Sequence, residues 1–433
     1  MSRKFGSLFK DLLSYGFIGV ISKFIGVVAI PIYVKHLTVS EFGILDLFMS
    51  ILTISALVGT FQLETSFLRF YTTLESEDQK IKYFSTGLNA IILLSLIFAP
   101  LFFLFVWIVF DDLSLPIVVL TTVLVPITSI FSYTTCVYRV KFDRKGFVKI
   151  NLINIIGIPV FSIITVLLGF GVVGIIISTM TANLLALILV YRDVKLFYAR
   201  KLDIKALREM FNYCFPLIPA GLSVSLQQNA PNIFIAAMIG TELLGFYSFA
   251  AKVFIPFKLI YQGLKMAWYP RAYQWYDSNE KIGEKFKQFE IIYSAGLTSI
   301  CVLLLFFSEE VIQLLGDEKM IPAHDLVGFM GLVLLIRSNS YFYIVVQNIL
   351  KHSKTILLIN FLSFSVLGFG LLILNVQELI TLKNVIIIEI IAELFRLLSI
   401  MFFAIKANFR YFRYGYSLVS IGIISTLIFY FFI

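Results

Sequence analysis

Residues 83–109 read YFSTGLNAIILLSLIFAPLFFLFVWIV, a stretch without a single charged side chain. An α-helix rises about 1.5 Å per residue, so about 20 mostly apolar residues are needed to cross the hydrocarbon core of a bilayer. A strand of a transmembrane β-barrel needs only about 10 residues of alternating character. The length and the uniform apolarity of this stretch therefore predict a membrane-spanning helix.

Twelve further stretches are long enough and mostly apolar, although some contain charged residues, and hydrophobic residues make up 59% of the 433-residue chain. Charged residues make up 14%, against about 25% in a soluble domain. This composition excludes a soluble enzyme and a disordered tail, and the spans leave no room for a soluble catalytic domain. The thirteen predicted spans are 14–34, 43–63, 83–109, 115–136, 150–168, 171–191, 211–239, 245–264, 291–308, 326–350, 355–375, 384–405 and 414–433.

The net charge of +9 is explained by which loops carry Lys and Arg. If the N-terminus is cytoplasmic, the cytoplasmic segments hold nearly all basic residues outside the spans, as the positive-inside rule requires. This pattern predicts that 141–149, 200–208 and 271–287 are cytoplasmic and that 309–325 is periplasmic. Nucleic acid is therefore not an expected partner. The odd span count places the C-terminus outside, so 414–433 is interpreted as an accessory helix that either crosses the membrane or lies along it.

Groups that could support catalysis or bind a cofactor are sparse. Cys136, Cys214 and Cys301 are far apart in or beside apolar runs, which is typical of buried thiols. No His, Cys and carboxylate residues share the spacing of a metal site, and no glycine-rich phosphate loop occurs. We expect no cofactor, no metal and no enzymatic activity. Coupling of transport to protons, sodium ions or the membrane potential is left open.

Two pairs of segments indicate an internal repeat. Residues 37–47, LTVSEFGILDL, resemble 239–249, IGTELLGFYSF, at an offset of 202 that superposes the two central glycines. Residues 141–151, KFDRKGFVKIN, resemble 351–360, KHSKTILLIN, at an offset near 209. Each pair joins equivalent loops of two six-span halves, which predicts two six-helix lobes related by a pseudo-two-fold axis along the membrane normal around a central cavity. The expected limits are 1–192 for the N-terminal lobe, 211–405 for the C-terminal lobe and 414–433 for the accessory helix.

Three short motifs carry a resemblance to a known family. They are PIY at 31–33, LTVSEFG at 37–43 and LGFYS at 244–248. With the span count and the repeat, they resemble the polysaccharide-flippase branch of the multidrug/oligosaccharidyl-lipid/polysaccharide exporter superfamily, and most closely its Wzx-type O-antigen and capsule flippases. The resemblance implies alternating access in the bacterial cytoplasmic (inner) membrane. The cargo it implies is an undecaprenyl-pyrophosphate-linked oligosaccharide, moved to the periplasmic leaflet.

The resemblance implies membrane lipids and the lipid-linked oligosaccharide as partners, and it leaves a polysaccharide polymerase and a chain-length regulator as open candidates. Three alternatives remain: a drug/cation antiporter of the same superfamily, a lipid II flippase, and a membrane-bound glycan polymerase or ligase. Charges within the spans are mostly basic, which favours an anionic cargo over a cation. The short outer loop 309–325 argues against a polymerase or ligase.

Charged residues within the predicted spans are the main site candidates, because each costs about 2.5–3.5 kcal/mol at the bilayer centre on insertion scales. Four cations have no evident acidic neighbour in their own helix and are expected to bind the pyrophosphate. The alternative is that they extend to the interface or pair with carboxylates of other spans. These four cations are Lys23, Lys252, Lys258 and Arg337.

Glu389, Glu393 and Arg396 are spaced four and three residues apart, so they share one helix face. They are interpreted either as a self-neutralised structural cluster, with Arg337 as a further partner, or as a gating or ion-coupling site. Asp46 is placed in the same gating or coupling class, although its position near the end of a span also suits a capping role.

The span 211–239 contains a polar run around Pro231. A proline interrupts the helical hydrogen bonds, and broken helices in membranes tend to line cavities. The amides are expected to bind sugar hydroxyls, with hydrogen bonding between helices as the alternative. They are Gln227, Gln228, Asn229 and Asn232. The related family often has an acidic residue followed by Arg near Pro231, and its absence here puts a carboxylate cation site on this span in doubt. The segment WYPRAYQW, residues 268–275, is interpreted as an interfacial anchor.

Overall fold

The computed structural model describes most of the chain. The described residues are 25–110, 112–141, 143–199, 202–278, 282–406, 419, 421–426 and 428. Lys23 and most of the predicted helix 414–433 lie outside them. Within the described residues the secondary structure is helical and contains no strand, as the long apolar runs predict.

The chain divides into two units, residues 1–225 and 226–433. The helices of the first unit are α1 (Ile25–His36), α2 (Val39–Thr60), α3 (Leu63–Tyr71), α4 (Glu77–Val109), α5 (Leu115–Thr134), α6 (Cys136–Val140), α7 (Arg144–Leu167), α8 (Gly171–Leu196) and α9 (Ile204–Cys214). The division falls within α10 (Leu217–Met238). The second unit continues with α11 (Thr241–Val253), α12 (Ile255–Ser278), α13 (Ile282–Phe306), α14 (Ser308–Leu315), a 3₁₀ helix (Glu318–Ala323), α15 (His324–Ile349), α16 (Ser353–Val376) and α17 (Leu382–Lys406).

The motif LTVSEFG contains the start signal of α2. The Thr38 hydroxyl accepts a hydrogen bond from the backbone N–H of Glu41 (3.1 Å), and the Glu41 carboxylate accepts one from the N–H of Thr38 (2.8 Å). This reciprocal capping box satisfies two N–H groups that have no partner inside the helix. Phe61 and Gln62 then take left-handed backbone conformations, with φ of 46° and 57°, and end the helix before α3.

Prolines divide two of the predicted spans. The predicted span 245–264 is interrupted between α11 and α12, which are bent by 53°. Pro256 lies at the start of α12 and has no N–H to donate, so the ladder of hydrogen bonds cannot run through this point. Likewise, the predicted span 211–239 contains the end of α9 and all of α10, with Pro216 in the gap.

Eight helical segments are long and apolar enough to cross a membrane, and the bent pair α11–α12 makes up to nine within the described chain. The eight are Val39–Thr60, Glu77–Val109, Leu115–Val140, Lys145–Leu167, Gly171–Leu196, Glu284–Phe306, Glu318–Ile349 and Lys354–Val376. Helices α10 and α17, of 22 and 25 residues, are long enough but carry the amide run and the charged cluster. The architecture is that of a multi-pass membrane protein, and the count of thirteen spans stays a prediction.

Helix limits recur at the offsets of the sequence repeat. Val39 of α2 and Thr241 of α11 both begin a helix, 202 positions apart. Helix α16 repeats the limits of α7, and α15 those of α5 with α6, at an offset of 209. Packing within each unit follows the same order: α5 contacts α2 and α8, and α15 contacts α11 and α17. The superposition of two lobes and the predicted limits 1–192 and 211–405 stay predictions.

Candidate functional site

A buried ion network joins α15 to α17. Arg337 donates from Nη2 to Glu389 Oε1 (2.9 Å) and from Nε to Glu393 Oε1 (2.8 Å). The two glutamates are one turn apart on α17, so one planar guanidinium reaches both carboxylates. Arg337 is therefore not the unpaired cation that its own helix suggests. The pairing with the α17 cluster, expected as the alternative, is confirmed.

Two more side chains complete the network. The Tyr247 hydroxyl of α11 donates to Glu389 Oε2 (2.8 Å). Arg396 Nη2 lies 2.8 Å from Glu393 Oε2. That contact is an ion pair without hydrogen-bond geometry, since Nη2 and Nε of Arg396 have no hydrogen-bond partner among the described residues. We therefore treat it as an electrostatic contact rather than a directed bond.

The network is buried and electrically balanced. Side-chain exposure is 2–4% for the two glutamates and Arg396, and 16% for Arg337. Two guanidinium groups face two carboxylates, so no net charge is buried. Removing ions from water is costly, and such a network is tolerated only while each ion keeps its counter-ion.

Tyr341 forms a second centre beside the network. Lys265 Nζ lies 4.1 Å from the centroid of the Tyr341 ring, and the guanidinium carbon of Arg396 lies 5.3 Å from it. The ring of Tyr261 stacks on that of Tyr341 with centroids 6.0 Å apart. Gln228 Nε2 donates to the Tyr341 hydroxyl (2.9 Å). Two cations, an aromatic ring and an amide thus converge on one half-buried phenol.

The amide run of α10 divides between two roles. Gln227 is buried and donates to Ser363 Oγ (2.9 Å), which in turn donates to the carbonyl oxygen of Ala392 (2.8 Å). This is the hydrogen bonding between helices named as the alternative. Gln228 is exposed and reaches Tyr341. Asn229 and Asn232 are half-buried, and the predicted binding of sugar by this run stays a prediction.

The remaining predicted cations flank the bend between α11 and α12. Lys252 lies in the last turn of α11 and Lys258 in the first turn of α12, and both are half-buried. Asp46 is half-buried within α2. Their assignment to substrate binding, gating or coupling stays a prediction. The three cysteines, Cys136, Cys214 and Cys301, are buried free thiols, as expected.

The interpretation of Trp268 as an interfacial anchor is wrong. Its side chain is 1% exposed and lies between the rings of Phe289 and Phe342, with centroids 4.5 and 4.7 Å away. The indole N–H donates to the Phe342 carbonyl oxygen (3.2 Å). Because α13 and α15 each supply a ring, Trp268 packs in the core of the second unit and does not lie at the lipid headgroups.

The sequence-based candidates miss four members of these centres: Tyr247, Tyr261, Tyr341 and Lys265. Tyr247 lies within the motif LGFYS, which was used only for its resemblance. Tyr341 lies one turn after Arg337 and therefore on the same face of α15. Lys265 follows a predicted span and was counted only as a loop cation. Tyrosines near intramembrane charges were the available signal, but 21 tyrosines in the chain make that signal weak.

Comparison with known proteins gives a family and a fold. The family model described as "Polysaccharide biosynthesis protein" matches residues 34–323. No curated protein matches the sequence significantly. The chain is similar to the lipid II flippase MurJ in an inward closed conformation, with a TM-score of 0.72 and 12% identity over 96% of this chain and 92% of that one.

It is also similar to an inward-facing multidrug resistance MATE family transporter of the MOP superfamily, with a TM-score of 0.67 and 13% identity over 91% of this chain and 96% of that one. A MOP superfamily transporter from Pyrococcus furiosus gives a TM-score of 0.59 and 13% identity over 93% and 96% of the two chains. At such identities the likeness is one of fold. The three structures with this fold are two transporters and a flippase.

Proposed function

Because this chain belongs to the polysaccharide biosynthesis protein family, we propose that it is a flippase for a lipid-linked oligosaccharide. The proposed cargo is an undecaprenyl-pyrophosphate-linked repeat unit of an O-antigen, capsule or exopolysaccharide, moved from the cytoplasmic to the periplasmic leaflet of a bacterial inner membrane. The family match over residues 34–323 is the observation that carries the proposal. The fold shared with a lipid II flippase supports it.

We assign the charged residues to different tasks within this function. A pyrophosphate moving through a medium of low dielectric constant needs cations that are available to it. Lys23, Lys252 and Lys258 are proposed for this role because each lies within a span predicted from the sequence, where a charge is costly without a function. Arg337 already binds two carboxylates. In this proposal it holds α15 against α17 and supports the site indirectly. No covalent step is involved.

The buried network also bears on the drug/cation antiporter alternative. An antiporter needs a carboxylate that can exchange a proton or a metal cation. Glu389 and Glu393 are each bound by an arginine at 2.8–2.9 Å, which makes them poor exchange sites in this conformation. Any gating or ion-coupling role of these residues would require the arginine contacts to open first. The same proposal includes coupling of transport to protons, sodium ions or the membrane potential. It also includes contact with a polysaccharide polymerase and a chain-length regulator.

The first test is deletion and complementation in the source bacterium. Deletion should abolish the surface polysaccharide and cause undecaprenyl-pyrophosphate-linked oligosaccharide to accumulate on the cytoplasmic side, because synthesis continues while transfer stops. Accumulation of lipid II, or loss of drug export with normal polysaccharide, would instead support one of the alternatives.

The second test uses the candidate cations. Lys23→Glu combined with Lys252→Glu should abolish surface polysaccharide at normal protein level, since an anion beside the cargo repels it. The Lys→Arg pair should retain part of the activity, because the charge persists. Lys351→Glu with Lys354→Glu, at two exposed positions, is the matched control. Wild-type polysaccharide in the Lys23/Lys252 variant would show that these cations do not handle the cargo.

A further inference from the structure

In the segment from α8 to the start of α10, the acidic and the basic side chains have different environments. Its acidic residues are half-buried and contact helices α4 and α6 of the first unit. Asp193 accepts a hydrogen bond from the Tyr138 hydroxyl (2.5 Å), and Asp203 pairs with Lys82 (2.5 Å). Glu209 accepts a hydrogen bond from the Tyr83 hydroxyl. None of these carboxylates is left to neutralise the outer side of the segment.

Among the described residues, basic side chains of the same segment point outward. Four of them are exposed and form no ion pair among the described residues. We call these four side chains the basic face: Arg192, Lys195, Lys205 and Arg208. Because the acidic residues contact Tyr138, Lys82 and Tyr83 instead, the basic face carries an uncompensated positive charge.

The fold holds the basic face in place. Ala206, Met210 and Cys214 are the buried residues of α9, which packs against α3 and α4, and Ser66 Oγ donates to the carbonyl oxygen of Met210 (3.1 Å). Asp203 caps the helix by accepting from the N–H of Ala206 (2.7 Å). The four cations are therefore presented by anchored helices and not by a free loop.

Exposed apolar side chains are interspersed along the chain with the residues of the basic face. Leu196, Ile204 and Phe215 are 68%, 76% and 69% exposed. Basic residues interleaved with exposed apolar ones are typical of segments that lie in the interface of a membrane with anionic lipids. Nucleic acid would explain the charge but not the apolar side chains. Their position at the ends of the predicted spans 171–191 and 211–239, where a span meets the headgroups, favours lipid over a partner protein.

We propose that the basic face binds the anionic headgroups of membrane phospholipids. The phosphate groups would contact Arg192, Lys195, Lys205 and Arg208, while Leu196, Ile204 and Phe215 enter the region between headgroups and acyl chains. This interaction is independent of the transported cargo. It anchors the segment that leads into α10 to the lipid surface.

The test is lipid quenching of a probe next to the basic face. The full chain, with the three native cysteines replaced by Ala, carries a fluorophore at Asn212→Cys, an exposed position of α9. It is placed in nanodiscs that contain spin-labelled phosphatidylglycerol or the same amount of spin-labelled phosphatidylcholine. Quenching should be stronger with phosphatidylglycerol at low salt. The preference should fade at 0.5 M NaCl, where the Debye length is only a few Å.

Two charge variants give the comparison. Changing all four residues of the basic face to Gln should remove the preference, at about a fivefold loss in lipid affinity per cation at low salt. The matched control changes four exposed lysines elsewhere to Gln, Lys145, Lys149, Lys351 and Lys354, and should keep the preference.

Equal quenching by the two lipids in the unmodified protein would overturn the proposal. So would a preference that survives the four Gln substitutions, or one that the control set abolishes as well. If the Gln variant does not fold, the salt dependence of the unmodified protein decides: a preference that persists unchanged in 0.5 M NaCl contradicts electrostatic headgroup binding.

Discussion

Helices α5 with α6, and α15, occupy matching places in the repeat and have the same length, yet the polar side chains at one matching position, Thr128 and Arg337, form different kinds of contact. In the first unit, Thr128 of α5 donates to the carbonyl oxygen of Leu124 in its own helix (2.9 Å). In the second unit, the matching region of α15 carries Arg337, which reaches across to two carboxylates of α17. The same contrast holds between α8, where the buried Thr179 donates within its own helix (2.9 Å), and α17.

This comparison shows that matching positions of one helix arrangement can carry a local or a long-range polar contact. A hydroxyl that bonds within its own helix is satisfied wherever that helix packs, so it adds little to the choice of neighbour. An arginine that needs two glutamates fixes the neighbour and its register, at a cost in desolvation if any partner is missing. The second unit should therefore be much more sensitive to single polar substitutions than the first.

Glu393→Gln should have the largest effect. It leaves Arg396 without its counter-ion and weakens one contact of Arg337, and breaking a buried ion pair costs about 3–5 kcal/mol. We expect a strong loss of folded protein, measured by fluorescence-detected size exclusion and by thermal unfolding in detergent. Thr179→Val, on the matching turn of α8, is the control and should cost no more than about 1.5 kcal/mol.

The double variant separates charge imbalance from lost packing. Combining Glu393→Gln with Arg396→Leu removes one charge of each sign, and we expect it to recover part of the stability lost in Glu393→Gln. Equal stability of Glu393→Gln and the unchanged protein would refute the claim that the second unit depends on this network.

Tyr247→Phe should have an intermediate effect. It removes the hydroxyl that donates to Glu389 Oε2 in a fully buried setting, and a hydrogen bond to a charged group contributes about 1.5–3 kcal/mol. Tyr138→Phe is the matched variant in the first unit, where the half-buried Asp193 can exchange the lost hydroxyl for water. Thermal unfolding should show a clearly larger decrease for Tyr247→Phe; similar decreases would remove the contrast between the two units.

Sequence patterns predict the helices and the part of the buried ion network that lies on α17. Apolar runs predict helices directly, because the bilayer leaves the backbone few alternatives. The spacing of Glu389, Glu393 and Arg396 indicates a shared face, since it depends only on helical periodicity. The partners of that face lie 52 and 142 residues away along the chain, at Arg337 and Tyr247. No local rule specifies which helices will pack there, so Arg337 was named as one option and Tyr247 was missed.

Trp268 shows the same limit of sequence-based prediction, since a residue expected at the membrane interface lies in the core. An aromatic cluster near a predicted helix end fits an interfacial anchor as well as a packed core. Only the rings supplied by α13 and α15 distinguish the two. The helix breaks at Pro216 and Pro256 could be predicted from the sequence, because proline removes a backbone donor wherever it lies. The apolar residues on both sides of each proline instead led to the prediction of one continuous span.

Lys82→Gln should have the smallest effect, because it removes an exposed ion pair of the first unit and not a buried one of the second. Lys82 lies 2.5 Å from Asp203 at a site where both side chains are partly exposed, 45% and 28%. Water can replace such a contact, so exposed pairs contribute little. We expect thermal unfolding of Lys82→Gln to shift by no more than about 2 °C, far less than for Glu393→Gln.

The pH dependence of this pair has a defined sign. The Lys82 ammonium, followed by the backbone N–H of Ala206, holds the pKa of the Asp203 carboxyl below its usual value. The stabilisation is therefore complete above the pKa of an unfolded aspartate, about 3.9, and is lost as the pH falls through the lower pKa of the folded state. Asp203→Asn keeps the helix cap and removes the charge. Between pH 5 and pH 3, unfolding temperature should fall slightly more for the unchanged protein than for Asp203→Asn. An equal fall would show that the pair contributes nothing measurable.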